Sequence, residues 1–234
     1  MNGIEDKSID MILCDLPYGT TQNKWDSIID FDKLWLQYNR IIEDNGVVVL
    51  FGNEPFSSAM RNSNTSMYRY DWYWGKNIST GFQNANKQPM RNVETISVFY
   101  KRQPTYNPQG LLPYNKVSKR GSMGQNWRSG TKGMGGEMGT NQYIQEYTNY
   151  PRNLIFFDCA TSNLHPTQKP VALFEYLIKT YTNEGDLVLD NCIGSGTTAI
   201  AAINSNRNYI GIELDENYYN IANQRIDEFK NGLK

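Results

Sequence analysis

Strands and helices alternate in the last third of this 234-residue sequence, and no other feature limits the possible folds as strongly. Apolar runs predict strands at 187–190 and 209–212, and helical spacing predicts helices at 170–181, 197–204 and 216–230. Parallel strands that are joined by helices form a sheet that helices cover on both faces. The sequence therefore predicts an α/β fold of the Rossmann-like kind, with a mostly parallel, twisted sheet.

The first hundred residues continue this pattern. They show a buried strand, a helix, a second buried strand, and two alternating runs that can pair antiparallel; these segments are 9–14, 31–42, 46–52, 68–74 and 94–100. We expect Asn45 and Gly46 to stop the helix. Alternation places Trp72 and Trp74 together on one face of the antiparallel pair, where they belong to the core.

Composition removes several classes of function. The longest apolar runs, 47–51 and 187–189, are far shorter than the roughly 20 residues that cross a bilayer, and the N-terminus has no signal-peptide character. We expect a cytoplasmic protein without a membrane partner. Three cysteines without C-x-x-C spacing (Cys14, Cys159 and Cys192) argue against a disulfide framework, and the single histidine, His165, argues against a metal centre.

Charge is distributed unevenly along the chain, although the net charge is only −1. Residues 61–152 carry 13 Lys or Arg against 4 Asp or Glu, and the segments on either side are acidic. A chain that grips a phosphate backbone collects basic residues in this way. A solvated basic face would produce the same pattern.

Residues 110–139 contain eight of the nineteen glycines and very few aliphatic residues. Such a segment buries too little apolar surface to offset its ordering entropy, so we expect a mobile loop or subdomain. Its basic residues are the candidates for contact with a phosphate backbone, and they are Lys116, Lys119, Arg120, Arg128 and Lys132.

A glycine-containing turn joins the strand at 187–190 to the helix that follows it. Gly194 and Gly196 allow the backbone to approach a ligand closely, and the start of the helix offers free N–H groups. Glu213 ends the next strand, where a carboxylate can accept both hydroxyls of a ribose. These features predict an adenosine cofactor, either NAD or S-adenosylmethionine, although the turn alone would also fit an ordinary strand-to-helix connection.

A second motif, D-L-P-Y, follows the first strand, at the end of the sheet where open α/β folds bind ligands. Asp15 and the Leu16 carbonyl can each accept one hydrogen of an amino group, Pro17 makes the turn rigid, and Tyr18 can stack on a flat ring. The motif predicts a receptor for a planar base that carries an amino group, which favours S-adenosylmethionine over NAD. The alternative is an ordinary turn with a proline.

The ordered motifs D-L-P-Y, a basic variable region, HPTQKP, LDNCIGSGTT and GIEL resemble those of the β-class S-adenosylmethionine-dependent DNA amino-methyltransferases, over nearly the whole chain. The resemblance implies double-stranded DNA as substrate, a catalytic half (1–100) placed before the cofactor-binding half (161–234), and a target-recognition insertion between them (101–160). It implies that Asp15, Leu16, Pro17 and Tyr18 are catalytic. It also implies a cofactor site formed by His165, Pro166, Thr167, Lys169, Asp190, Cys192, Gly194, Ser195, Gly196, Thr197 and Glu213.

The sequence departs from the family's pattern at three points. Leu16 replaces the first proline of D-P-P-Y, which keeps the carbonyl acceptor but leaves the backbone less rigid. Cys192 stands where many members have phenylalanine, so one apolar contact with the cofactor is smaller. Members usually also begin with a further strand, and this sequence starts after that point, so we expect either a sheet without that edge strand or a shortened chain. A catalytically weakened DNA-binding relative therefore stays an alternative, as does an NAD-dependent oxidoreductase, in which D-L-P-Y would have no role.

The implied reaction moves a methyl group onto an exocyclic amine of a flipped base and needs no metal. In the resembled family the adenine enzymes mostly have Asp at the first motif position and the cytosine enzymes mostly Ser, so Asp15 favours the 6-amino group of adenine over the 4-amino group of cytosine. His165, beside a proline and before a helix, fits cofactor positioning better than general-base catalysis. Phe82 could touch the flipped base. A restriction endonuclease partner cannot be read from the sequence, and the resemblance is compatible with a homodimer.

Overall fold

The computed structural model describes residues 1–19, 27–119, 142–160 and 168–232, without the side chains at 118, 119, 142 and 143. Several of the predicted site residues lie outside this part, namely His165, Pro166, Thr167, Arg120, Arg128 and Lys132, and the Lys119 side chain does too. The chain forms two compact units, of which the first contains residues 1–107 and 152–234 and the second residues 108–151.

The first unit is built on a sheet of seven described strands, and its helices are interspersed with them along the chain. The strands are β1 (Ile9–Cys14), β2 (Ile42–Gly52), β3 (Tyr68–Thr80), β4 (Arg91–Phe99), β7 (Leu154–Phe156), β8 (Leu187–Asp190) and β9 (Asn208–Gly211). The helices are α1 (Phe31–Ile41), α2 (Phe56–Ser63), α3 (Val171–Tyr181), α4 (Thr197–Asn204) and α5 (Glu216–Gly232), with a 3-10 turn at Phe82–Asn84.

The strand order is β7-β3-β4-β2-β1-β8-β9. Every pair in this sheet is parallel except those that β4 makes with β2 and β3, so β4 alone among the described strands of the sheet runs against the others. β1 lies between β2 and β8 and is parallel to both. The strand that follows β1 in the chain lies on one side of this pair, and the strand that follows β8 lies on the other, so the carboxyl ends of β1 and β8 lie at a switch point of the sheet. Open α/β sheets bind their ligands at such a point.

Helices cover both faces of the sheet, as the sequence predicts. Met11 and Leu13 of β1 pack in one apolar cluster with α3, and α4 contributes Ala201 and Ala202 to it. Ile12, in the same strand, points into the opposite cluster with α1 and α2. The α/β Rossmann-like fold is thus confirmed, and so is the core position of the two tryptophans of β3, which are buried.

The predicted end of the first helix is wrong. α1 ends at Ile41, and β2 begins at once with Ile42, whose backbone is extended. Ile42 pairs with Ile9 of β1, and the register shifts before Val47. Asn45 and Gly46 therefore lie inside an irregular part of β2, because the pairing and burial of Ile42 end the helix before those residues.

The second unit contains a separate two-stranded antiparallel sheet of β5 (Leu112–Lys119) and β6 (Gln142–Thr148). This unit, residues 108–151, is shorter than the insertion that the sequence predicts at 101–160. The predicted mobile segment falls mostly on residues 120–141, outside the described part. Across the described ranges, none of the helices is long and apolar enough to cross a bilayer.

Candidate active site

A cavity of about 620 Å³ lies at the carboxyl ends of β1 and β8 in the first unit. The D-L-P-Y segment lines it on one side and the turn between β8 and α4 on another. Its size is within the range of about 300–1,000 Å³ that is usual for small-molecule and cofactor sites. The two motifs that the sequence singled out, 174 residues apart at their first positions, therefore share one cavity.

The D-L-P-Y segment leaves β1 directly after Cys14. Leu16 is only 3% exposed and packs in the apolar cluster on the α1 side of the sheet. All four residues of the segment, Asp15, Leu16, Pro17 and Tyr18, line the cavity. The leucine that replaces the family's first proline is thus an anchor in the core, which holds the segment by burial rather than by a fixed backbone angle.

The Tyr18 hydroxyl touches two carboxylates. It donates to Asp15 Oδ1 at 2.5 Å and lies 3.1 Å from Glu94 Oε1. The ring centroid lies 5.0 Å from that of Phe56 on α2. These contacts fix the plane of the Tyr18 ring at the cavity wall.

Lys169, just before α3, reaches the same group of residues. Its Nζ lies 2.5 Å from Asp15 Oδ2 and 3.0 Å from Glu94 Oε1. On the far side of Glu94, Oε2 is 2.5 Å from Lys76 Nζ. Asp15, Lys169, Glu94 and Lys76 thus form a row of alternating charges, which we call the ionic row.

Burial and charge act in opposite directions in this row. Burial raises the pKa of Asp15, and the Lys169 ammonium opposes that rise. Although burial also acts to raise the pKa of Glu94, the two lysines hold it below its usual range. For Lys169, burial favours the neutral amine, but Asp15 and Glu94 outweigh it and raise its pKa. The row thus favours the charged forms of Glu94 and Lys169, while the pKa of Asp15 stays raised although Lys169 opposes the rise.

Glu94 and Lys76 are functional candidates that the sequence analysis missed. Glu94 is 2% exposed and shares the inward face of β4 with Ile96 and Val98. A carboxylate at an inward position of a strand is unfavourable unless it is paired. The alternation of β4 in the sequence therefore indicated that Glu94 has a buried partner. Lys76 carried no comparable signal, since only the folded sheet shows that it reaches Glu94.

The turn after β8 is shaped by backbone angles that favour glycine. Gly194 has φ +53° and Gly196 has φ +84°. The Gly194 amide donates to Glu213 Oε2 at 2.8 Å. Gly196 faces Ala222 of α5, whose Cβ would lie 3.4 Å from an added Cβ. Among the described residues predicted to bind the cofactor, Gly196 is the one that does not line the cavity.

Glu213 presents a carboxylate that the backbone holds in place. Besides the bond from Gly194, its Oε1 accepts the amides of Leu214 at 2.9 Å and Asp215 at 3.0 Å. A carboxylate has about four acceptor positions, and the three amides take three of them, so one position remains for a hydroxyl group from the cavity.

Asp190 is the buried acid at the end of β8. It accepts the Cys192 amide at 3.0 Å and the Thr198 hydroxyl. Burial raises its pKa to about 6. Ser195 and Thr197 are buried beside it at the cavity wall.

Lys116, a candidate for contact with DNA, lies on β5 in the second unit. Its Nζ lies 4.9 Å from the centroid of the Tyr114 ring. Four of the five basic residues predicted to contact DNA have side chains outside the described part, so their placement stays a prediction.

The fold and this cavity define a DNA methylase. The chain belongs to the N6/N4 DNA methylase family, whose profile, described as "DNA methylase", matches residues 9–224. Members of this family are S-adenosylmethionine-dependent methyltransferases that act on DNA, so the resemblance and the cofactor predicted from the sequence are confirmed.

Individual proteins show how wide the similarity is. The chain is 29% identical to the DNA adenine methyltransferase YhdJ of Escherichia coli strain K12 over 238 residues, which cover 94% of this chain and 77% of YhdJ. The structure of an M1.HpyAVI–SAM complex shares the fold with a TM-score of 0.61 and 24% identity, covering 93% of this chain and 89% of that one. The cytosine-N4-specific PvuII DNA methyltransferase shares it with a TM-score of 0.65 and 16% identity, covering 98% and 87%.

Proposed function

We propose that this chain is a site-specific DNA methyltransferase that modifies the 6-amino group of adenine after the base has flipped out of the duplex. The observation that carries this proposal is the position of Asp15, a carboxylate in the wall of a cavity that also contains the glycine turn and Glu213. One cavity thus holds an acceptor for an amine and a set of residues suited to an adenosine group.

The described residues fit S-adenosylmethionine. Glu213 would accept a ribose hydroxyl, because three amides hold its carboxylate at the cavity wall and leave one acceptor position free. Asp190, Cys192, Gly194, Ser195 and Thr197 would line the rest of the cofactor site, together with His165, Pro166 and Thr167 from the predicted motif. When bound, the cofactor supplies a methyl group that is already activated for transfer.

The work of the chain is then to prepare the amine. The amine of adenine is a poor nucleophile because its lone pair is conjugated with the ring. Asp15 and the Leu16 carbonyl would accept its two hydrogens, which turns the lone pair out of the ring plane and fixes its direction. Tyr18 would stack on the flipped base and replace the lost base stacking. Asp15 would also receive the proton that leaves the amine.

Cytosine N4 is the second candidate target. The PvuII enzyme, whose title names it cytosine-N4-specific, shares the fold, and the family as a whole includes both N6 and N4 enzymes. Support for adenine comes from the YhdJ relative, which is named a DNA adenine methyltransferase, and from the aspartate at position 15. A carboxylate accepts a stronger, charge-assisted bond from the amine than a hydroxyl does.

Nucleoside analysis tests the proposal directly. Unmethylated DNA would be incubated with the protein and S-adenosylmethionine carrying a deuterated methyl group, digested to nucleosides and separated by mass. We expect the label in N6-methyldeoxyadenosine. Label in N4-methyldeoxycytidine would make the second candidate correct. If the protein binds S-adenosylmethionine but labels neither nucleoside, the result would support a DNA-binding relative without activity.

A further inference from the structure

The ionic row has more charges than the proposed chemistry uses. Of its four side chains only Asp15 is needed to accept the amine, yet the structure connects it to Lys169, Glu94 and Lys76 through contacts of 2.5, 3.0 and 2.5 Å. All four side chains come from different segments of the first unit, and Lys169 and Glu94 are almost completely buried. Such an arrangement is expensive in desolvation and therefore calls for a reason.

We propose that Lys169 is a positioning residue for Asp15 rather than a ligand of the cofactor, and that Glu94 holds Lys169 in this role. The inference rests on the proposed function, because it concerns the carboxylate that would accept the target amine. It reassigns Lys169, which the family resemblance places among the cofactor-binding residues.

Asp15 must be ionised to accept the amine hydrogens. An ionised carboxylate is a pure acceptor, whereas a protonated one carries an O–H donor that would meet the amine hydrogens. Asp15 is half-buried, and its partial removal from water favours the protonated form. A positive charge at 2.5 Å from Oδ2 counteracts that tendency, and Lys169 provides it.

Carboxylates already occupy most of the hydrogen-bonding capacity of Lys169. Its ammonium has three donors, and two carboxylates already lie within 3.0 Å of it. Its remaining surroundings include the Phe51 ring, whose centroid is 5.4 Å from Nζ. The Lys169 carbonyl accepts from the Thr197 hydroxyl at 3.5 Å, at the start of α4. Lys169 thus connects the glycine turn through its backbone with Asp15 through its side chain.

Glu94 gives Lys169 a second partner, so the ammonium is held from two sides and cannot turn away from Asp15 without leaving Glu94. It also lies 3.1 Å from the Tyr18 hydroxyl, which bridges the two carboxylates. Lys76 balances the charge of Glu94, so the row is neutral as a whole.

The charged and titratable groups that act on Asp15 determine the direction in which each substitution shifts the titration of Asp15. They are Lys169 from the segment before α3, Glu94 from β4, Tyr18 from its own segment, Asp190 from β8, and Lys76 from β3 through Glu94. Lys169 favours ionised Asp15, and the negative charge of Glu94 disfavours it. Removal of either charge should therefore move the titration of Asp15, but in opposite directions.

The experiment compares Lys169→Gln with Glu94→Gln by the single-turnover methylation rate between pH 5 and 9. For Lys169→Gln we expect the acid limb of the pH–rate profile to move to higher pH, with a loss of at least about tenfold in the methylation rate at pH 6. For Glu94→Gln we expect the acid limb to move to lower pH. Lys33→Gln and Glu5→Gln, which change exposed residues, serve as matched controls.

A second readout does not depend on activity. The carboxyl carbon of Asp15 can be titrated by NMR in protein labelled at aspartate with carbon-13, with Asp15→Asn to assign its signal. The signal should titrate at higher pH in Lys169→Gln and at lower pH in Glu94→Gln. If the wild type transfers no methyl group, the proposed function fails, while this titration still tests the ionic row.

Two further variants cover the risk that a single change unfolds the protein. Lys169→Arg keeps the charge and should keep the wild-type titration of Asp15, and the double variant Lys169→Gln/Glu94→Gln, which stays neutral, should fall between the two single variants. Equal shifts of the same sign, or rates that fall with an unmoved pH profile, would overturn the inference. So would a large loss of S-adenosylmethionine affinity in Lys169→Gln with an unmoved titration, since Lys169 would then belong to the cofactor.

Discussion

The Gly194 amide donates a hydrogen bond of 2.8 Å to Glu213 Oε2, across 19 positions of the sequence. This bond connects the turn after β8 with the segment after β9. Two amides of that segment, Leu214 and Asp215, bind the other oxygen. The predicted ribose acceptor is therefore placed by the same turn that shapes the cavity, so its position does not depend on a bound cofactor.

Glu213→Gln should weaken S-adenosylmethionine binding. The glutamine amide has only one oxygen, so its NH₂ group would face backbone donors on one side, and the side chain would turn away from the cavity wall. We expect an affinity loss of roughly 10-fold or more, as is typical when a hydrogen bond to a charged group is lost. Calorimetric titration measures it, with Glu216→Gln as the exposed control. An unchanged affinity would remove Glu213 from the cofactor site.

Asp15→Asn should separate binding from chemistry. Asparagine keeps the size of the side chain but offers one acceptor oxygen without charge, so we expect single-turnover methylation to fall by roughly 100-fold or more. Cofactor affinity should stay within a few fold of the wild type, because Asp15 is assigned to the target base. Asp227→Asn, an exposed change on α5, should alter neither quantity. If cofactor affinity falls together with activity, Asp15 has been assigned to the wrong ligand.

Gly196→Ala should lower the free energy of unfolding. The residue has φ +84°, and an added Cβ would lie 3.4 Å from the Cβ of Ala222. We expect a loss of about 1–2 kcal/mol in the free energy of unfolding, mostly from the left-handed backbone. Urea unfolding measures it, and Gly3→Ala, where nothing lies within 4 Å of the added atom, is the control. Equal stability of both variants would contradict this account of the turn.

Asp190 should make the protein less stable as the pH rises through the acid range. Its pKa is about 6 in the folded protein and 3.8 ordinarily, so between these values the folded state keeps a proton that the unfolded chain has released. Stability then falls with rising pH, by about 3 kcal/mol in total for this group. Asp190→Asn removes this contribution.

The test of Asp190 is the difference in unfolding free energy between wild type and Asp190→Asn, measured at pH 4 and at pH 7. The lost bonds to Cys192 and Thr198 shift this difference by a constant amount. The part that depends on pH should follow the titration of Asp190. A difference that is the same at both pH values would show that Asp190 titrates normally.

The basic residues of the insertion should set the salt dependence of DNA binding. Each phosphate contact contributes about 0.9 to the slope of log affinity against log salt concentration. Replacement of Lys119, Arg120 and Arg128 by alanine should therefore flatten the slope by up to about three such contributions. Cofactor affinity should not change, and Lys33→Ala on α1 is the control. An unaltered slope would mean that the segment only increases solubility.

Local pattern was sufficient to predict the parts of the fold in which neighbours in sequence are also neighbours in space. The strand at 187–190 and the helix at 197–204 have the predicted bounds, because an apolar run, a glycine turn and a helical run follow one another. The D-L-P-Y segment was found for the same reason. Its arrangement with the glycine turn follows from the general rule for the carboxyl ends of parallel strands.

Contacts between distant segments were the part that sequence could not supply. The end of α1 depends on Ile42, which pairs with Ile9, and a helical pattern contains no information on that pairing. Likewise, Lys169 is 154 residues from Asp15, and its motif suggested a cofactor role. Only the folded sheet shows that the two side chains meet.

The reversed direction of β4 has a consequence for folding. Because β4 runs against its neighbours, Glu94 near its beginning lies at the same end of the sheet as Asp15, which follows the end of β1. The buried charges of the ionic row then have their partners only after β1, β4 and the segment before α3 have come together. A half-assembled sheet would leave a charge buried without its partner, which is strongly unfavourable. We therefore expect partly folded forms of the first unit to be sparsely populated, so that its two sequence segments fold and unfold as a single cooperative unit.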